Sequence, residues 1–210
     1  MTNKAFWNRH CPSIWLALAV AGCAAPPAEE KPPAEFSPKL VGKAPPATGG
    51  YPSVVMLSPE VPIETPIPTE PALMDQYGTA FRPKLLVVRP GQPVDFKNSE
   101  DVLHNVHVIE ADTRETEFNV GTPVVGAYRH VFEREGAYDV SCNIHPSMAA
   151  FVIVTAAPFV AVADSQGSFE LDPLPEGSYD VRVWNLDPKR RSERRITVDA
   201  ATKSLTLTES

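Results

Sequence analysis

The chain has 210 residues, 43% of them apolar, and a formal net charge of -7. The acidic balance argues against nucleic acid as the main partner, because phosphate binding needs a basic surface. The length allows one large domain or two small ones, and 23 unevenly spread prolines exclude a long helical bundle.

Lys4 and Arg9 precede a short apolar run, "IWLALAVAG", from Ile14 to Gly22. Nine residues are too few to span a bilayer core, so the run reads as the h-region of a secretory signal. It ends in "VAGC", which resembles a bacterial lipoprotein signal. That resemblance implies a signal over residues 1–22 and a lipidated Cys23. The protein would then be anchored in a bacterial cell envelope, facing the periplasm or the exterior. Cys11 would leave with the signal. Cys142 would remain as a thiol with no disulfide partner, and bound metal would protect it from oxidation.

Residues 24–50 carry seven prolines and few large apolar side chains. With Cys23 they are expected to form an extended tether. A first domain is expected over 51–156. Here "SVVML", "PKLLVVRPGQPVDFKN", "DVLHNVHVIE", "AYRHVF", "GAYDVSC" and "AAFVIVTA" read as strands, with a turn at Pro90-Gly91. Strand alternation puts Tyr138, Val140 and Cys142 on one face, and Val94, Phe96 and Asn98 on one face. A thiol and an amide thus both reach the end of an apolar layer. Residues 157–210 are expected to form a second β-module, with turns at Gln166-Gly167 and Pro175–Gly177. No segment sustains a helical period, so the fold class is all-β.

The stretch "SCNIHPSM" places Cys142, His145 and Met148 three residues apart. A copper electron-transfer site uses two imidazoles, one thiolate and a weak axial thioether. These three residues supply all but one imidazole, and His104, His107 and His130 are the candidates for it. His104 and His107 face opposite ways in an extended strand, and His107 reads as a surface or packing residue. His130 reads as exposed. Met56 and Met74 read as core.

"FKNSEDVLHNV" followed by "GAYDVSCNIHPSM" resembles the cupredoxins, the blue copper family of plastocyanin and amicyanin, over roughly Lys84 to Val154. The resemblance implies a Greek-key β-sandwich and one copper ion held by His104, Cys142, His145 and Met148. It further implies that Asn105 bonds the backbone of the Cys142 loop, and that His145 is the exposed exit for an electron. The C-terminal "DSQGSFELDPLPEGSYDVRVW" resembles the carboxypeptidase regulatory-like modules, which are small transthyretin-like sandwiches. Trp184, out of register with Tyr179, Val181 and Val183, is expected to cover the domain interface.

"KRRSERR", Lys189 to Arg195, holds five basic residues and one acid and reads as a solvated hairpin. No nucleophile–base pair, carboxylate pair or phosphate loop is present. The expected function is therefore one-electron transfer between redox partner proteins, without catalysis, a small-molecule substrate or nucleic acid. The alternatives are a copper carrier or sensor, and a structural envelope-binding lipoprotein.

Overall fold

The computed structural model describes residues 36–208. The expected signal, the lipidation site Cys23 and the first part of the tether lie outside them. Among the described residues the regular structure is β, apart from one 3-10 turn at Pro188–Arg190. The strands are β1 Leu40–Lys43, β2 Val54–Pro59, β3 Ala72–Gln76, β4 Phe81–Arg82, β5 Leu85–Val88 and β6 Pro93–Asn98. They continue with β7 His104–Glu110, β8 Thr116–Thr122, β9 Ala127–Val131, β10 Gly136–Ser141 and β11 Ala149–Val154. The last are β12 Phe159–Val162, β13 Ser168–Leu171, β14 Gly177–Trp184, β15 Ser192–Val198 and β16 Ser204–Thr206.

Four sheets form, in the orders β4-β3-β6-β9, β5-β11-β10-β7-β8, β12-β2-β14-β15 and β13-β1-β16. Three apolar clusters separate them. Met74, Val94, Phe96 and Phe132 meet Val106, Val108, Val140 and Val152 between the first two sheets. Ala137 and Ile153 meet Val54, Met56 and Trp184 between the second and third. Val55, Leu57, Val181 and Val183 meet Leu40, Phe169 and Leu205 between the third and fourth. The described chain is thus a stack of four β-layers.

Strand β2 shows why the stack is continuous. Val54 and Met56 face one cluster while Val55 and Leu57 face the next. A strand buried on both faces needs an unbroken apolar run, and "VVML" is one. Trp184 does the same for β14. Its neighbours Tyr179, Val181 and Val183 face inward to the outer cluster, while Trp184 turns to the inter-sheet cluster and packs on Phe151 at 5.3 Å.

This pairing departs from the boundaries read from the sequence. Strand β1, inside the expected tether, pairs with β13 and β16. Strand β2, expected in the first domain, pairs with β12 and β14. Residues 72–155 therefore build the first and second layers, called here the inner sandwich because its sequence lies inside the other's, and 36–59 with 157–208 build the third and fourth, called the outer layers. Proline content hides β1, because the strand carries only two large apolar residues, Leu40 and Val41. Burial of Leu40 and the Phe169 ring lying against side-chain-free Gly42 supply its packing.

His130 also differs from expectation. It stands two residues before Phe132 and so shares its face. Its ring packs on Phe132 at 4.7 Å and Phe118 at 4.4 Å, and Nε2 meets Glu117 Oε1 at 3.2 Å. The basic hairpin is largely neutralised within the chain. Arg190 pairs with Asp187, Arg191 with Asp112, and Arg195 with Asp180 and Glu60, while Arg194 donates to the Thr206 carbonyl.

Candidate metal centre

The centre lies at one end of the inner sandwich, where β6 and β10 both run out. Asn98 closes β6 and is fully buried. Its Nδ2 donates to the Val102 and Thr122 carbonyls, and its Oδ1 accepts from the Glu100 amide at 3.0 Å. This side chain shapes the loop 99–103, which delivers His104 as the first residue of β7. Strand β10 ends at Ser141, and Cys142 follows with 2% exposure. The loop back to β11 is tight. The Met148 amide donates to the His145 carbonyl at 2.9 Å, and the Cys142 amide to the Met148 carbonyl at 3.3 Å.

These elements bring three donors together. His104 Nδ1 lies 3.0 Å from His145 Nδ1, and Cys142 Sγ lies 3.8 Å from the same nitrogen. One donor atom from each of His104, Cys142 and His145 lies within 4.8 Å of the other two. Met148, on the same loop, is 1% exposed and packs in the cluster that contains Cys142. His107 stands outside the group, facing the other way with Nδ1 at 3.2 Å from Asn143 Oδ1. Met56 and Met74 are core residues of two different clusters.

Hydrogen bonds behind the donors orient them. Asn105 Oδ1 accepts from the Asn143 amide at 2.7 Å, and its Nδ2 donates to Asn119 Oδ1 at 2.8 Å. Asn105 thus ties the loop after Cys142 to β7 and β8. Glu100 is a residue that the sequence does not single out. Its Oε2 lies 2.9 Å from His104 Nε2 and accepts from the Thr79 amide at 3.1 Å. The Thr79 amide, then the His104 imidazole and the Gly78 amide, hold the Glu100 carboxyl below its ordinary value against the opposing effect of desolvation. The readable trace is an acid inside a loop that ends on a histidine, and composition alone does not distinguish it from Asp101.

The donor set fits a thiophilic metal. With its Nε2–H directed at a carboxylate, a buried imidazole presents the Nδ1 lone pair to the site. Thiolate, thioether and imidazole are the ligands that suit copper in both oxidation states.

Residues 72–155 match the plastocyanin/azurin family of copper-binding proteins. Copper is the metal of that family, and His104, Cys142 and His145 form the group able to hold it. The similar solved structures include a purple cupredoxin from Nitrosopumilus maritimus, 26% identical over 40% of this chain and 99% of that one, with a TM-score of 0.36. A proline-to-alanine mutant of amicyanin in its oxidised state is 27% identical over 40% of this chain and 82% of that one, with a TM-score of 0.37. A copper-containing nitrite reductase from Thermus scotoductus is 26% identical over 47% of this chain and 25% of that one, with a TM-score of 0.38. At these TM-scores the overlaps add nothing to the family match. No curated protein matches the chain.

Proposed function

We propose that this protein is a type 1 copper protein that carries single electrons between redox partners outside the cytoplasm. The observation that carries the reading is the convergence of His104 Nδ1, His145 Nδ1 and Cys142 Sγ beside buried Met148. Copper bound there would supply a one-electron Cu(II)/Cu(I) couple.

The chain's own residues do the rest. His104, Cys142 and His145 would hold the ion as strong donors and Met148 as a weak one. Glu100 and Asn105 keep the donors in place when the charge at the site changes. A scaffold that does not rearrange keeps the reorganisation on electron transfer small. Four protein donors leave no position for a substrate, which favours a carrier over an enzyme. The loops at this end expose Val102, Leu103, Val124, Val125 and Ile144. Such an apolar rim suits brief docking of a protein partner.

We read Cys23 as a lipid anchor to a bacterial envelope membrane and the outer two layers as a carboxypeptidase regulatory-like scaffold. A redox titration of the copper-loaded protein tests the function. A reversible one-electron couple with an intense thiolate-to-copper band in the oxidised state is the expected result. Absence of both overturns the reading.

A further inference from the structure

Tyr51 lies outside the segment that matches the copper family, on a turn belonging to the outer layers. Thr48 and Tyr51 exchange both backbone hydrogen bonds at 3.0 Å around Gly49 and Gly50, whose φ values are 60° and 82°. Two positive φ angles in a two-residue connection make a primed hairpin turn, which glycine adopts without steric cost. Buried groups brace it. Ser53 Oγ donates to the Pro45 carbonyl at 2.7 Å, and Asn185 Nδ2 donates to Ser53 Oγ at 2.9 Å. The Tyr51 ring then meets Phe151 edge-on at 4.9 Å and 88°.

From this support the Tyr51 hydroxyl donates to the Ala149 carbonyl at 3.1 Å. Ala149 directly follows Met148. The Met148 carbonyl faces β10 and accepts from Cys142, so the Ala149 carbonyl faces the opposite side, toward β5. On that side the backbone bonding begins with the Phe151 amide donating to the Lys84 carbonyl at 2.9 Å, and among the described residues no backbone donor meets the Ala149 carbonyl. Tyr51 takes the place of the missing strand partner.

We propose that Tyr51 is a positioning residue of the metal centre: its bond to Ala149 clamps the backbone beside Met148, so the outer layers set how the thioether meets the ion. This rests on the reading of Met148 as the axial donor. The bond spans the two sandwiches, so the copper-family segment alone would lack it.

The test uses the full chain with Tyr51→Phe, which keeps the ring and removes the hydroxyl. Tyr179→Phe is the control, because its hydroxyl also donates to a carbonyl, that of Pro175 at 2.6 Å, within the outer layers. Two readouts are compared: amide exchange at Cys142 and Met148 without metal, and the relative intensity of the thiolate-to-copper bands with Cu(II). Tyr51→Phe is expected to speed exchange roughly two- to tenfold, the effect of one lost neutral hydrogen bond, and to change the band ratio. Tyr179→Phe is expected to do neither. An unchanged band ratio in Tyr51→Phe overturns the proposal, even with faster exchange, because the bond would then be only a structural clamp. A parent protein with no thiolate-to-copper band overturns the metal reading itself, a different result.

Discussion

Glu100 Oε2 lies 2.9 Å from His104 Nε2, behind an imidazole that is fully buried. The carboxylate does two things at once. It satisfies a nitrogen that has no water to turn to, and it leaves Nδ1 free to face Cys142 and His145. Glu100→Ala is expected to weaken copper binding about 10- to 100-fold, the usual cost of removing a group that orients a ligand. Glu100→Gln keeps an acceptor and is expected to fall between parent and Ala. Competition against a copper chelator measures both.

Removing a donor has a sharper signature. Cys142→Ala is expected to abolish the thiolate-to-copper band altogether, since no other thiol stands near among the described residues. His104→Ala is expected to lose it or replace it with a weak, altered spectrum. Met148→Ala is expected to keep a thiolate band while changing its shape, because an axial thioether bonds weakly. Titration with Cu(II) followed by visible absorption separates the three.

Asp95 and Arg129 face each other across β6 and β9 and pair through two bonds, of 2.6 and 2.8 Å. The guanidinium holds the Asp95 carboxyl below its ordinary value of 3.8. The folded state therefore favours the ionised form, and the unfolded chain takes up protons first as the pH falls. The stabilisation is complete above the unfolded pKa and is lost as the pH drops through the lower folded one. Asp95→Asn is expected to lower Tm near neutrality and to match the parent in strong acid. The gap should correspond to at most about 1 kcal/mol, because the pair is largely solvated. Melting curves across that pH range show it.

Trp184 joins the two sandwiches by packing on Phe151, but its indole Nε1 has no hydrogen-bond partner among the described residues. Trp184→Ala is expected to cost about 3–5 kcal/mol, as for a large buried aromatic side chain. Trp184→Phe should cost much less, since the ring contact survives in part and an unsatisfied donor disappears. Denaturant unfolding followed by circular dichroism ranks them.

Strand β1 predicts a result opposite to that of a simple tether. Removing residues through Ala47 takes away the central strand of its sheet and leaves β13 and β16 without their shared partner. Such a truncated protein is expected to unfold at lower denaturant than the parent, whereas trimming a tether would leave the midpoint unchanged. A fragment of residues 60–156 is expected to self-associate, because it bares Ala137, Phe151 and Ile153. Gel filtration and denaturant midpoints test the pair.

Local chemistry is enough for the donors. Three metal-capable residues at a pitch of three, on a loop leaving an alternating strand, are constrained by chain geometry alone, and so is the inward face of Cys142. The second imidazole stays open among three histidines until the "HNV" resemblance chooses His104. The tertiary structure then shows why His107 and His130 are elsewhere: one faces the outer surface of β7, the other shares a face with Phe132. Glu100 and Tyr51 are not legible in the sequence, because each acts through a contact between segments that no local pattern encodes. The same holds for the layer order. Alternation tells which face of a strand is apolar, but not which distant sheet covers it. Only the folded chain decides that β1 and β2 cross to the C-terminal strands, where their side chains bury the most apolar surface.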